Sequence, residues 1–244
     1  MSDIAIVAGR ELRPLLRSPF SLIFGMVQPL VFLALFGPLL KSTFGGDVWQ
    51  WFVPSILVMT TLFSTSTVGA NLLQEFLTGA HERMLVTPLS RPALLVGRAV
   101  KEMVPLAGQA LVIVLVMLPF GFRLYTGGAL LGLVLLALFG VGLGSLSYAL
   151  AVAVRRTDWM FWAVHQTLLF PLMILSGMLL PLESGPAWMR TAAHVNPLAH
   201  MVAAERDLFA GHIATSTVAW GFVAAALTAV VGLAVGIRAM RRST

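Results

Sequence analysis

The chain has 244 residues, 58% of them hydrophobic and 11% charged, with a mean hydropathy of +0.91. A soluble domain carries about 25% charged residues, so much of this chain is built for lipid rather than water. Cysteine is absent, which excludes disulfides, thiolate catalysis and cysteine-held zinc, and the net charge of +6 points to nucleic acid only if its placement has no other cause.

In chain order, residues 1–17 are too short and polar to cross a bilayer. At about 100° per residue, Asp3, Arg10, Arg13 and Arg17 fall on one side, with Ile4, Ala8, Leu12, Leu15 and Leu16 opposite. That pattern predicts an amphipathic helix lying in the membrane interface. Six stretches then lack Asp, Glu, Lys and Arg: 18–40, 48–74, 103–122, 124–154, 159–182 and 208–237. Each reaches the roughly 20 residues a helix needs to cross, which predicts an all-α membrane protein with spans at about 19–40, 50–72, 103–121, 128–153, 159–180 and 214–237. The first stretch is longer than the apolar region of a signal peptide and has no clear cleavage site behind it, so it is read as a span.

Gln28-Pro29 sits near the middle of the first span, where proline removes a ladder hydrogen bond and predicts a kink. The second span carries Thr60, Thr61, Ser64, Thr65, Ser66, Thr67 and Asn71. Gln28, Thr60, Ser64, Thr67 and Asn71 are candidates to line a substrate path, and close helix packing is the other use of the same residue types. Gly128, Gly132, Gly140 and Gly144 give the fourth span two small-xxx-small pairs, a signal of tight packing. His165 in the fifth span is read as a helix contact rather than a proton relay.

Two connections are longer than a turn. The first, 74–101, holds Glu75, Glu82, Arg83, Thr87 and Pro88. The second, 181–212, is broken by Pro181, Pro186 and Pro197 and holds Trp188, a residue suited to the membrane interface. It predicts two short helices that dip into the outer leaflet and return, before the last span.

Six spans place the N-terminus, the second–third and fourth–fifth connections and the C-terminus on one side. That side carries Arg10, Arg13, Arg17, Arg83, Arg91, Arg98, Lys101, Arg155, Arg156, Arg238, Arg241 and Arg242, twelve cations against the four of Lys41, Arg123, Arg190 and Arg206 opposite. Short loops rich in Lys and Arg stay in the cytoplasm, so both termini are expected there. Asp47, Glu183, Glu205 and Asp207 cancel the outer four, leaving the whole excess of +6 on the inner face. Anionic lipid headgroups account for it, and no nucleic-acid partner is required.

No G-x-x-x-x-G-K-[ST], HExxH or GxSxG occurs, so neither a phosphate-cradling loop nor a familiar catalytic centre is expected. His194, His200, Glu205 and Asp207 match no metal-site spacing. None of the six stretches contains an ionised residue of the kind that relays protons or sodium in self-powered pumps. Transport by this chain would draw its energy from a partner.

The inner connection reads Glu82-Arg83-Met84-Leu85-Val86-Thr87-Pro88-Leu89-Ser90. The outer segment reads Leu175-Ser176-Gly177, then Pro181-Leu182, Pro186-x-Trp188, Asn196-Pro197-Leu198 and Arg206. In this order, on a six-span frame, these resemble the permease subunits of type-2 ABC exporters, notably the daunorubicin-resistance type. The resemblance implies a pore subunit that is not an enzyme, working as a pair of permeases with two copies of a separate ATPase that binds ATP and magnesium. It assigns coupling to Glu75, Glu82, Arg83, Thr87 and Pro88, with Arg10 and Arg13 of the first helix beside them. It assigns the outer motif to Gly177, Pro181, Trp188, Asn196, Pro197 and Arg206. A lipophilic drug-like or lipid-like cargo leaving a bacterial or archaeal plasma membrane is the expectation. Export of a polysaccharide or lipid-linked glycan is the runner-up, and a channel or scaffold without nucleotide coupling is the alternative of another class.

Overall fold

The computed structural model describes residues 19–44, 48–77, 103–155, 157–182 and 185–242. Arg10, Arg13, Glu82, Arg83, Thr87 and Pro88 lie outside them. Eight α-helices are described, with no strand among the described residues: α1 (Pro19–Phe44), α2 (Val48–Leu77), α3 (Met103–Met117), α4 (Thr126–Ala153), α5 (Asp158–Ile174), α6 (Ala187–Val195), α7 (Pro197–Phe209) and α8 (Ser216–Arg242). In hydrocarbon every backbone N–H and C=O must find its partner within the chain, and a helix does this inside one segment.

Five of the eight, α1, α2, α3, α4 and α8, are long and apolar enough to cross a bilayer. α5 has 17 residues, at the low end of that range. It ends before the expected 180 because the chain turns over Leu175, Ser176 and Gly177. There the Ser176 hydroxyl donates to Met173 O at 2.6 Å and accepts from Met178 N at 3.3 Å. Gly177 takes φ +70°, a conformation that favours glycine.

α2 forms the centre of the bundle. Of its apolar span 76% is buried, against 28% for α1, so α2 is walled by helices while α1 keeps one face for lipid. On α1 the buried side chains are Met26, Leu33 and Leu40, seven residues apart, with Val27, Val31, Leu35 and Leu39 exposed. α4 packs most extensively on α8 and then on α2. The α4–α8 crossing is made by glycine: a Cβ on Gly232 would lie 2.2 Å from Gly142 O, and one on Gly142 would lie 2.6 Å from the backbone of Thr228. Such close approach lets helices gain dispersion contacts where lipid supplies no hydrophobic drive between them. Gly232→Ala should therefore lower the thermal unfolding midpoint of the detergent-solubilised protein. The expected cost is about 1–3 kcal/mol of overpacking, and an unchanged midpoint would refute the crossing.

Candidate functional site

The polar chemistry of the described residues concentrates at one end of the bundle, where α6 and α7 fold back before α8. Asn196 separates the two short helices. Its side-chain oxygen accepts from Leu198 N at 3.0 Å, capping α7, and its Nδ2 donates to Leu172 O of α5 at 2.7 Å. Pro197 follows as the first residue of α7, where its missing N–H costs nothing. One side chain thus starts α7 and ties it to the end of α5.

Arg206 closes the far side. Its Nε donates to Trp51 O at 3.0 Å and Ser55 Oγ at 3.1 Å, both on α2. Its Nη2 donates to Ser55 Oγ at 2.8 Å and to Gly177 O at 2.8 Å. The guanidinium also lies 3.8 Å from the centre of the Trp51 ring. α7, α2 and the turn after α5 are therefore held by one cation, whose planar fork suits acceptors spread in this way. Gln50 adds a second tie: its Oε1 accepts from Arg123 N at 3.1 Å, while its Nε2 donates to Arg123 O at 3.0 Å and to Phe209 O.

Gly177, Asn196, Pro197 and Arg206 come together in this clasp, whereas Trp188 is 64% exposed on α6 and Pro181 is half-buried beyond the turn. Sequence reasoning missed Gln50, Trp51 and Ser55, the acceptors and donors that α2 supplies. His200 Nε2 lies 2.9 Å from His194 O, and no group of three metal-binding side chains forms among the described residues.

Glu205 is the exception in chemistry. It is 0% exposed, and neither carboxylate oxygen has a hydrogen-bond partner among the described residues. A Cβ on Gly132 of α4 would lie 2.6 Å from its Oε2, so the absence of a side chain there makes room for the carboxyl. Burial pushes its pKa up from 4.5 to about 8.

The candidate path residues divide. Thr60 is buried and donates to Ile56 O at 2.8 Å, four residues back in its own helix. Ser64 is half-buried and donates to Gln109 Oε1 of α3 at 3.2 Å. Gln28 and Asn71 are exposed, on α1 and α2, and the side chain of Thr67 is outside the described set. Glu75 is half-buried near the other end of α2. His165 stacks on Phe161 with ring centres 5.6 Å apart, inside α5.

Over residues 2–210 the chain matches a known protein family, ABC-2 type transporter. The chain belongs to the ABC-2 type transporter family. It is 26% identical over 200 residues to a daunorubicin resistance ABC transporter permease protein of Streptomyces coeruleorubidus, covering 79% of this chain and 70% of that one. It is 30% identical over 217 residues to a protein of Cyanophora paradoxa named as a transport permease, covering 86% and 74%. It is 22% identical over 164 residues to one of Escherichia coli named as a multidrug ABC transporter permease, covering 66% and 44%. As an ABC-2 permease the chain is a multi-pass membrane subunit of an ABC transporter, and ATP hydrolysis belongs to a separate ATPase subunit.

Proposed function

We propose that this permease exports a lipophilic, drug-like or lipid-like substrate across a bacterial or archaeal plasma membrane, with both termini in the cytoplasm. Two copies pair to form the path, and two copies of a partner ATPase bind the ATP and magnesium. The observation that carries the reading is the family match over residues 2–210, which takes in both the inner connection and the outer clasp. The relative named for daunorubicin resistance supports a drug-like cargo. The weak packing of α5 on its own bundle, with Trp159, Trp162, Leu168 and Phe170 exposed, supports a second copy beside it.

The geometry suggests how the drive is passed on. α2 has 30 residues, about 45 Å at 1.5 Å per residue. Glu75 lies near the end of α2 that leads into the inner connection, and Trp51 and Ser55 near the other end sit in the Arg206 clasp. ATP-driven closure of the ATPase pair would push on Glu75, Glu82, Arg83, Thr87 and Pro88, with Arg10 and Arg13 alongside. A packed rod tilts as a body, so the push arrives at the clasp as displacement of α7. The coupling is tested with the permease–ATPase complex in vesicles. Glu82→Ala or Arg83→Ala should abolish most substrate-stimulated ATP hydrolysis while leaving membrane insertion intact, and wild-type stimulation in both variants would overturn the mechanism.

A further inference from the structure

At the end of the bundle away from the clasp, α4 and α8 leave a cavity of about 600 Å³ between their last turns. Its walls are small and apolar: Ala149, Val152 and Ala153 from α4, and Val235 and Ala239 from α8. Arg155, just past the end of α4, and Arg238 of α8 also line it, and both are exposed. Among the described residues no acidic side chain lines it.

Further along the same pair, the two helices touch through Gly142 and Gly232. The lining runs from Ala149 to Arg155 on one side and from Val235 to Ala239 on the other, about 6–9 Å of helix at 1.5 Å per residue. A shallow apolar slot topped by two cations is complementary to the headgroup end of one lipid of one leaflet. An acyl chain fits the alanine and valine walls and a phosphate fits between the guanidiniums, whose planar donors suit phosphate oxygens.

We propose that the α4–α8 groove is a binding site for an anionic phospholipid, with Arg155 and Arg238 on the headgroup phosphate and an acyl chain against Ala149, Val152 and Val235. Placing it in the inner leaflet rests on the cytoplasmic orientation of the termini proposed above; the site itself does not. A lipid held here braces the ends of α4 and α8 beside the surface where a partner ATPase would act.

The full chain is placed in nanodiscs of phosphatidylcholine with a minority of phosphatidylglycerol, and the lipids it keeps on release are counted by native mass spectrometry. Phosphatidylglycerol should be retained in preference to phosphatidylcholine. Arg155→Ala and Arg238→Ala should each weaken that retention about fivefold, the worth of one basic side chain at a charged surface. Arg123→Ala, at the clasp end, should not change it. Ala153→Phe, at an exposed position, fills the groove and keeps both cations, so it should also lose the lipid while folding normally. Equal retention of the two lipids overturns the site, as does insensitivity to the arginine variants. Displacement by millimolar inorganic phosphate would reassign it to a free anion, and loss of ATPase binding with lipid retention unchanged would reassign it to a protein contact. The chain has no cysteine, so a single Ser243→Cys labelled in sealed vesicles reads which side the C-terminus occupies. That outcome moves the leaflet and leaves the nanodisc result standing.

Discussion

Arg206→Ala is expected to abolish transport and to lower the unfolding midpoint of the solubilised permease by about 6–12 °C. The estimate takes about 3 kcal/mol for removing a partly buried cation from its acceptors, at 2–4 °C per kcal/mol for a chain of this size. Gly177 O would lose the Arg206 donor, and Ser55 Oγ would lose two of its contacts. The Trp51 ring would lose the cation at 3.8 Å. Arg206→Lys should recover less than half of the loss, because one ammonium cannot reach α2 and the α5 turn together as a planar fork does. A midpoint within 2 °C of wild type together with normal transport for the alanine variant would mean that the clasp is incidental. A normal midpoint with lost transport would leave the clasp a working part of the cycle and not of the fold.

Much of this was legible from residue types and order. Uncharged length located the helices, since a chain in lipid has few alternatives to them. The breakers Pro186 and Pro197 marked where two short helices begin, whereas the turn over Ser176-Gly177 was not legible, since the apolar run continues to 182. The partners of Arg206 were not legible. Trp51 and Ser55 precede it by 155 and 151 residues, and nothing in their neighbourhood marks them as acceptors for a distant cation. The second span left two uses open. Its hydroxyls fit a substrate path or close packing, and the distinction lies in their bonding: Thr60, Thr61 and Ser66 each donate to a carbonyl four residues back in their own helix. Glu205 was counted among the outer charges that offset Lys41, Arg123 and Arg190. A charge count treats every carboxylate as solvated, and only the glycine at 132 on a different helix reveals that this one is not.

That burial sets the second large effect. The carboxyl of Glu205 faces Gly132, with no hydrogen-bond donor among the described residues, and its pKa lies near 8 because burial disfavours the charge. α7 has 13 residues, too short to span, so the group sits where opening of the hairpin could reach it with water. The folded state holds this proton up to about pH 8, while the unfolded chain releases it near 4.5. Folding therefore takes up a proton between those values, and stability falls as pH rises through that window, levelling off above the folded pKa. The loss amounts to several kcal/mol at about 1.4 kcal/mol per unit. Wild-type midpoints should drop steadily from pH 5 to pH 8, whereas Glu205→Gln should show a flatter profile over the same range. Glu205→Leu removes the orphaned polar atoms altogether and should be the most stable of the three at pH 8, since an apolar side chain of similar size suits the space better than an unpaired carboxylate. Parallel profiles for all three proteins would mean that Glu205 is solvated or paired in the membrane. A stable but inactive leucine variant would mean that the permease keeps this carboxyl for its cycle, at a standing cost to the resting fold.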